Sequence, residues 1–156
     1  MDDEPQRMTI IAWSGDLDRV WPQLILASTG AAYGMTTTVF FTFWGLFTLK
    51  RPDVRITGTN WMTKMMSAMN HQGLSKMDLG GLGPAIMRKI AADQKIAPPD
   101  ELLATCQELG VRLWPCGMTM DLMGLRKDQL IDGLAEPVGA GTALAEMQHS
   151  QINLFI

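Results

Sequence analysis

The sequence predicts an α/β domain, a sandwich around a mostly parallel sheet, and three observations carry that expectation. Four short runs rich in β-branched, aromatic and aliphatic residues, "MTIIAW", "TTTVFFTFW", "VRLWPC" and "INLFI", are spread along the chain. Stretches with helical spacing separate them, and alternation of this kind places parallel strands side by side with helices on the faces. Third, Val20 to Leu49 holds no charged residue, as expected of an amphipathic helix followed by a strand covered on both faces. With 156 residues the chain is long enough to bury a core as one domain. The expected division is a first βαβ unit over 7–50, a Met- and Gly-rich insert over 51–97, and a C-terminal αβαβ part over 98–156.

Taken in order, "MTIIAW" (8–13) reads as a central strand ended by the turn-like "SGD". Leu17, Val20, Leu24, Ala27 or Ser28, and Ala31 then recur at helical spacing, with Asp16 and Asp18 at the dipole-favoured start and Gly34 as the left-handed stop. "TTTVFFTFW" (36–44) is the second strand. From Arg51 to Gly83 periodicity weakens, Trp61 to Met69 allowing a helical turn or two before "HQG" and "GGLGP" break it. Pro84 opens a short helix, and "PPDELLATCQELG" is a helix with prolines and acids first, Leu102, Leu103, Cys106 and Leu109 on one face, and Gly110 last. After the strand "VRLWPC", "GMTMDLMGL" resumes helical spacing, "RKDQLIDG" adds a short helix or turn, "TALAEMQHS" is a small-residue helix, and "INLFI" is the last strand.

Composition excludes several classes. The net charge is −3 and the 13 basic residues are scattered, so there is no electrostatic footprint for nucleic acid. Two cysteines and two histidines, His71 and His149, make neither a disulfide framework nor a zinc pattern, so no metal or cofactor is expected. The histidines read as solvated, and Met62, Met65, Met66 and Met69 as core or subunit contact. "MDDEPQR" lacks the features of a secretory signal, and a reducing, cytoplasmic setting is expected. The uncharged run is long enough to raise a membrane span, but Pro22, Gln23, Ser28, Gly30 and Gly34 break its apolar character. Peripheral membrane contact stays as the alternative, and the large apolar fraction favours a homo-oligomer.

The chemistry centres on Cys116. Ligands and reactive groups in open α/β sheets collect where strand ends pass into helix N-termini, and amides of Gly117, Met118 and Thr119 there would favour thiolate. Met118, Met120 and Met123 would give the sulfur soft surroundings. Ser14, Gly15, Asp16 and Trp44 are the expected pocket residues on neighbouring loops. From the residues alone two readings stand: a reactive thiolate, which must open to solvent or a neighbouring subunit, or a buried filler like most free cysteines. Cys106, on the apolar face of its helix, reads as a packed core thiol.

Three stretches, "SGDLDRVWPQLILASTGAAYGMTTTVFFTFWGLFTLK", "CGMTMDLMGLRKDQLIDG" and "EPVGAGTALAEMQHSQINLFI", resemble the DsrE/DsrF-like sulfur-relay proteins, specifically the DsrE2 branch, sometimes labelled peroxiredoxin-like. The combination of "FFTFWGL" with "C-x-M-x-M-D-L-M-G" is more specific than either piece. The resemblance implies a three-layer α/β/α fold with a mostly parallel five-stranded sheet of flavodoxin-like or Rossmann-like topology, assembled into oligomers. It also implies a sulfurtransferase or sulfur carrier that accepts persulfide sulfur on the cysteine after the third strand, which matches Cys116, from a sulfane-sulfur donor, and passes it to an acceptor thiol. The alternatives are a non-catalytic oligomeric or membrane-peripheral module, and, third, a thiol peroxidase or disulfide oxidoreductase.

Overall fold

A computed structural model of the protein describes residues 5–54 and 82–156. The strands are β1 (Arg7–Ala12), β2 (Thr36–Phe41), β3 (Arg112–Pro115) and β4 (Ile152–Phe155). The helices are α1 (Leu17–Ala32), α2 (Leu82–Asp93), α3 (Pro99–Glu108), α4 (Gly117–Met123) and α5 (Ala140–Gln148), with 3-10 turns at Phe43–Leu49 and Lys127–Gln129.

All four strands are parallel, in the order β3-β2-β1-β4. The expectation of five strands is corrected to four among the described residues. On the outer side of β3, where another strand would pair, the described residues offer only a one-residue bridge between Cys116 and Val138. Pro137, just before it, has no N–H for a ladder, and α5 starts two residues later.

Strand alternation sorts the apolar residues into two layers. Ile10, Ala12, Val39, Phe41 and Leu113 join Val20, Leu24 and Ala27 of α1 and Leu103 and Cys106 of α3 in the main core. Ile11, Phe40 and Trp114 face the other way, against Ala143 and Met147 of α5. Helices therefore cover both sheet faces, the second, among the described residues, by the nine-residue α5 alone. Glu146 of α5 secures that cover, bridging Arg112 at the start of β3 and Arg7 at the start of β1. Arg112 also lies over the Trp114 ring at 5.3 Å.

The uncharged stretch divides at "AAYGM" as expected, into α1 and β2. No helix among the described residues is long and apolar enough to cross a membrane. β2 stops at Phe41 rather than running to Trp44, because Phe43 turns the chain with a left-handed φ of 45°. Gly45 then presses against β1, its amide donating to the Trp13 carbonyl at 3.1 Å. A side chain there would meet the Ala12 carbonyl oxygen at 2.1 Å, so only glycine fits. The helical turns expected at Trp61 to Met69, the Met62, Met65, Met66 and Met69 group, and His71 all lie outside the described residues.

Candidate functional site

Cys116 stands where the sequence puts it, one residue past β3 and immediately before α4, with extended backbone (φ −77°, ψ 114°). Its amide continues the sheet by donating to the Phe41 carbonyl at 2.9 Å, and its carbonyl accepts the Met120 amide at 2.9 Å as the first bond of α4. Gly124 closes that short helix in a left-handed cap, φ 65°.

The surroundings differ from those expected. Cys116 is 1% exposed, in an apolar group with Ile11, Phe40 and Ala143, edged by Trp114, Val138 and Met147. The Gly117 amide donates to the Val138 carbonyl at 3.0 Å, and the Cys116 side chain makes no capping bond. The expected cradle of amides is thus replaced, at Gly117, by a backbone bond to the strap 134–139. Nor do the methionines surround the sulfur. Met120 and Met123 turn to the main core on the opposite face, and Met118 is 60% exposed. The physical reason is the hand-over from strand to helix: β3 sends Cys116 to the α5 face, and α4 then lays its apolar side back over the α1 face.

Ser14, Gly15, Asp16, Trp44 and Thr119 do come together, as a lattice of loops beside Cys116 rather than as its pocket. The Ser14 hydroxyl accepts the Asp16 amide at 3.2 Å. Asp16 caps α1 through its carbonyl, which takes the Arg19 and Val20 amides at 2.9 and 2.8 Å. Gly15 lies so close to Trp44 that a Cβ there would sit 2.8 Å from the Trp44 carbonyl oxygen. The buried Thr119 hydroxyl meets the Thr42 hydroxyl at 3.1 Å and accepts the Phe43 amide at 3.1 Å, which fixes the left-handed turn after β2 to the first turn of α4. Trp44 stacks on Phe47 with ring centroids 6.0 Å apart and is not part of the apolar group around the sulfur.

What sequence reasoning missed is the cover. Residues 134–139 run past Cys116 as a strap held by two backbone bonds, Gly117 to Val138 and Val138 to Pro115, each 3.0 Å, and by an exposed ion pair between Lys127 and Glu136. Gly133, left-handed at φ 78°, bounds the strap at one end and Gly139 at the other. The run "EPVGAG" carried the only signal, one proline and two glycines marking an irregular segment.

Cys106 behaves as expected. It is wholly buried in the main core, its thiol directed to the Leu24 carbonyl at 3.6 Å, and burial pushes its pKa up to about 11. Leu109, expected on the same face, is exposed instead, because the helix ends at Glu108 and Leu109 is its cap.

The fold and site together define a class: a parallel α/β domain whose one strand-end thiol lies beneath a narrow strap. The chain belongs to the DsrE/DsrF/DrsH-like family, whose model matches residues 4–155. It is 34% identical to the uncharacterized protein YrkE of Bacillus subtilis over the whole of both chains. It is 36% identical to the sulfur carrier protein DsrE2 of Allochromatium vinosum, covering 98% of this chain and 99% of that one.

Proposed function

We propose that the protein is a sulfur carrier of the relay type and that Cys116 holds the sulfur. The Cys116 thiolate attacks the outer sulfur of a donor persulfide, R–S–SH. A new S–S bond forms as the donor S–S bond breaks, and the donor leaves as R–S⁻. An acceptor thiolate then takes the outer sulfur from Cys116–S–SH by the same exchange and regenerates the Cys116 thiolate. No net oxidation occurs, so neither metal nor redox cofactor is called for.

One observation carries the reading: Cys116 ends β3 under a strap only six residues long, whereas Cys106 is sealed in the main core. On this reading access comes from a local movement of the strap beyond Leu134, which packs on the main core, and not from unfolding of the domain. The relative named as a sulfur carrier supports the class of chemistry. A disulfide exchange reading finds less support, since the two cysteines lie in separate apolar groups on opposite faces of the sheet.

Exposed Phe43, Trp44, Met118 and Leu122 at the carboxyl ends of β2 and β3 are the surface on which a donor, an acceptor or another copy would dock. The same residues are what a non-catalytic assembly or membrane-peripheral module would use, the second reading. Incubation with a sulfane-sulfur donor followed by intact-mass measurement decides between them. The carrier reading expects a +32 Da adduct (one sulfur atom, about 32 Da) mapped to Cys116 and absent in Cys116→Ser; wild type and variant alike without adduct would leave the assembly reading.

A further inference from the structure

A cavity of about 550 Å³ opens on the α1 face of the sheet, between the starts of α1 and α3 and the segment that follows β2. Its size is that of a small-molecule site. The walls are mainly apolar, among them Leu17, Phe47, Leu103 and Ile131, and its charged groups are Lys50, Arg88 and Asp100. The Lys50 ammonium donates to the carbonyls of Val54 at 2.6 Å and Arg51 at 3.2 Å. Neither Lys50 nor Arg88 forms a salt bridge among the described residues, and Asp53, whose charge reaches Lys50, is itself paired with Arg51 at 2.9 Å. Burial lowers the Lys50 pKa, and the Asp53 charge opposes that shift.

We propose that this cavity binds an organic monoanion with an apolar body, its carboxylate between Lys50 and Arg88 and its hydrocarbon part against Leu17, Phe47 and Leu103. Among the described residues of its wall, two cations face the one carboxylate of Asp100, an excess of one positive charge, which matches a carboxylate rather than a multiply charged phosphate. A wall of this apolar content rewards a hydrocarbon body, which inorganic anions lack. The cavity draws on the main-core face, whereas Cys116 lies on the other, so the bound anion is not the group that gives or takes sulfur. The proposal is independent of the carrier reading.

Calorimetric titration of the full chain with 4-phenylbutyrate, its uncharged amide and inorganic phosphate tests it. The expected result is saturable one-site binding of the carboxylate, with the amide at least about ten-fold weaker and phosphate unable to compete. Lys50→Gln and Arg88→Gln should each weaken the carboxylate about ten-fold. Ile131→Trp, which fills the cavity from a half-buried position, should abolish binding, and Cys116→Ser should leave it unchanged. Absence of saturable binding, an amide as tight as the acid, competition by phosphate, or affinity unaltered in both glutamine variants would overturn the proposal. The exposed Arg88 keeps the test decisive even if the tryptophan variant fails to fold.

Discussion

If lifting the strap, with α5 left in place, is enough to bring solvent to Cys116, its thiol should react in the native protein at a rate set by local opening. The strap's hold can be estimated. For the part beyond Leu134, which stays packed on the main core, two backbone hydrogen bonds are worth about 1 kcal/mol each net, and half-burial of Val138 adds about 1 kcal/mol; the exposed Lys127–Glu136 pair adds little. An opening free energy of about 3 kcal/mol means an open fraction near one in 150, so Cys116 should be alkylated about 150-fold more slowly than in the unfolded chain. Cys106 needs global unfolding, typically 5–15 kcal/mol, and should be at least about 30-fold slower again. Removing two half-buried methyls in Val138→Ala should cost about 1 kcal/mol of hold and accelerate Cys116 about five-fold, leaving Cys106 almost untouched. The assay is site-resolved mass spectrometry of iodoacetamide labelling at low denaturant. Local opening exposes little surface, so the Cys116 rate should be nearly flat in urea while that of Cys106 climbs with the global slope. Equal rates at the two cysteines, or a Cys116 rate that follows the global urea dependence, would refute the strap and with it the route by which a buried sulfur could serve as carrier.

Two further outcomes test the packing that places the site. Gly45→Ala forces a methyl to 2.1 Å from the Ala12 carbonyl oxygen and should cost about 3 kcal/mol or more by chemical denaturation. Gly141→Ala in α5 has open space around its Cβ and should instead gain about 0.5 kcal/mol, so equal effects would undo the steric reading. The Cys106 thiol is raised in the folded state to about 11 from an ordinary 9.0. Folding favours its neutral form, so that contribution is fully present below pH 9 and is lost as pH rises through 11. The stability advantage of wild type over Cys106→Ala should therefore shrink by about 2 kcal/mol between pH 8 and pH 11.5; parallel pH profiles would count against a desolvated thiol.

Helical spacing from Leu17 to Ala31 and the β-rich runs were legible because each is a periodic, local signal that the fold uses directly. The same locality explains the misses. The aromatic run "FFTFW" has strand character throughout, yet β2 ends at Phe41 because Gly45 must meet the Ala12 carbonyl, a contact made across the sheet. Met118, Met120 and Met123 are neighbours of Cys116 in sequence but not in space, since the strand-to-helix junction sends them to other faces. Conversely Val138, 22 positions downstream, is the residue that closes over the sulfur, through one isolated bridge that carries no periodicity. Lys50 and Arg88 meet at a cavity only because α2 and the segment after β2 converge on α1, and neither residue belongs to a motif.

The contrast between the two cysteines follows from how the sheet is covered. The α1 face is covered by α1 and α3 over the larger apolar core, so a thiol there, Cys106, wholly buried with its Sγ directed to the Leu24 carbonyl, cannot be exposed piecemeal. Among the described residues the opposite face has one short helix, and its apolar group is small: four buried residues and three half-buried ones. A thiol at the carboxyl end of that face is hidden by a few side chains from α5 and the strap, so hiding it takes little free energy and revealing it takes no more. Burial at 1% is therefore compatible with carrier chemistry on this face and would not be on the other. On the carrier reading the same cover has a use: an S–SH group on Cys116, screened by α5 and the strap, would be kept from bulk thiols until the strap opens, whereas an open thiolate would lose its sulfur to the first nucleophile it met.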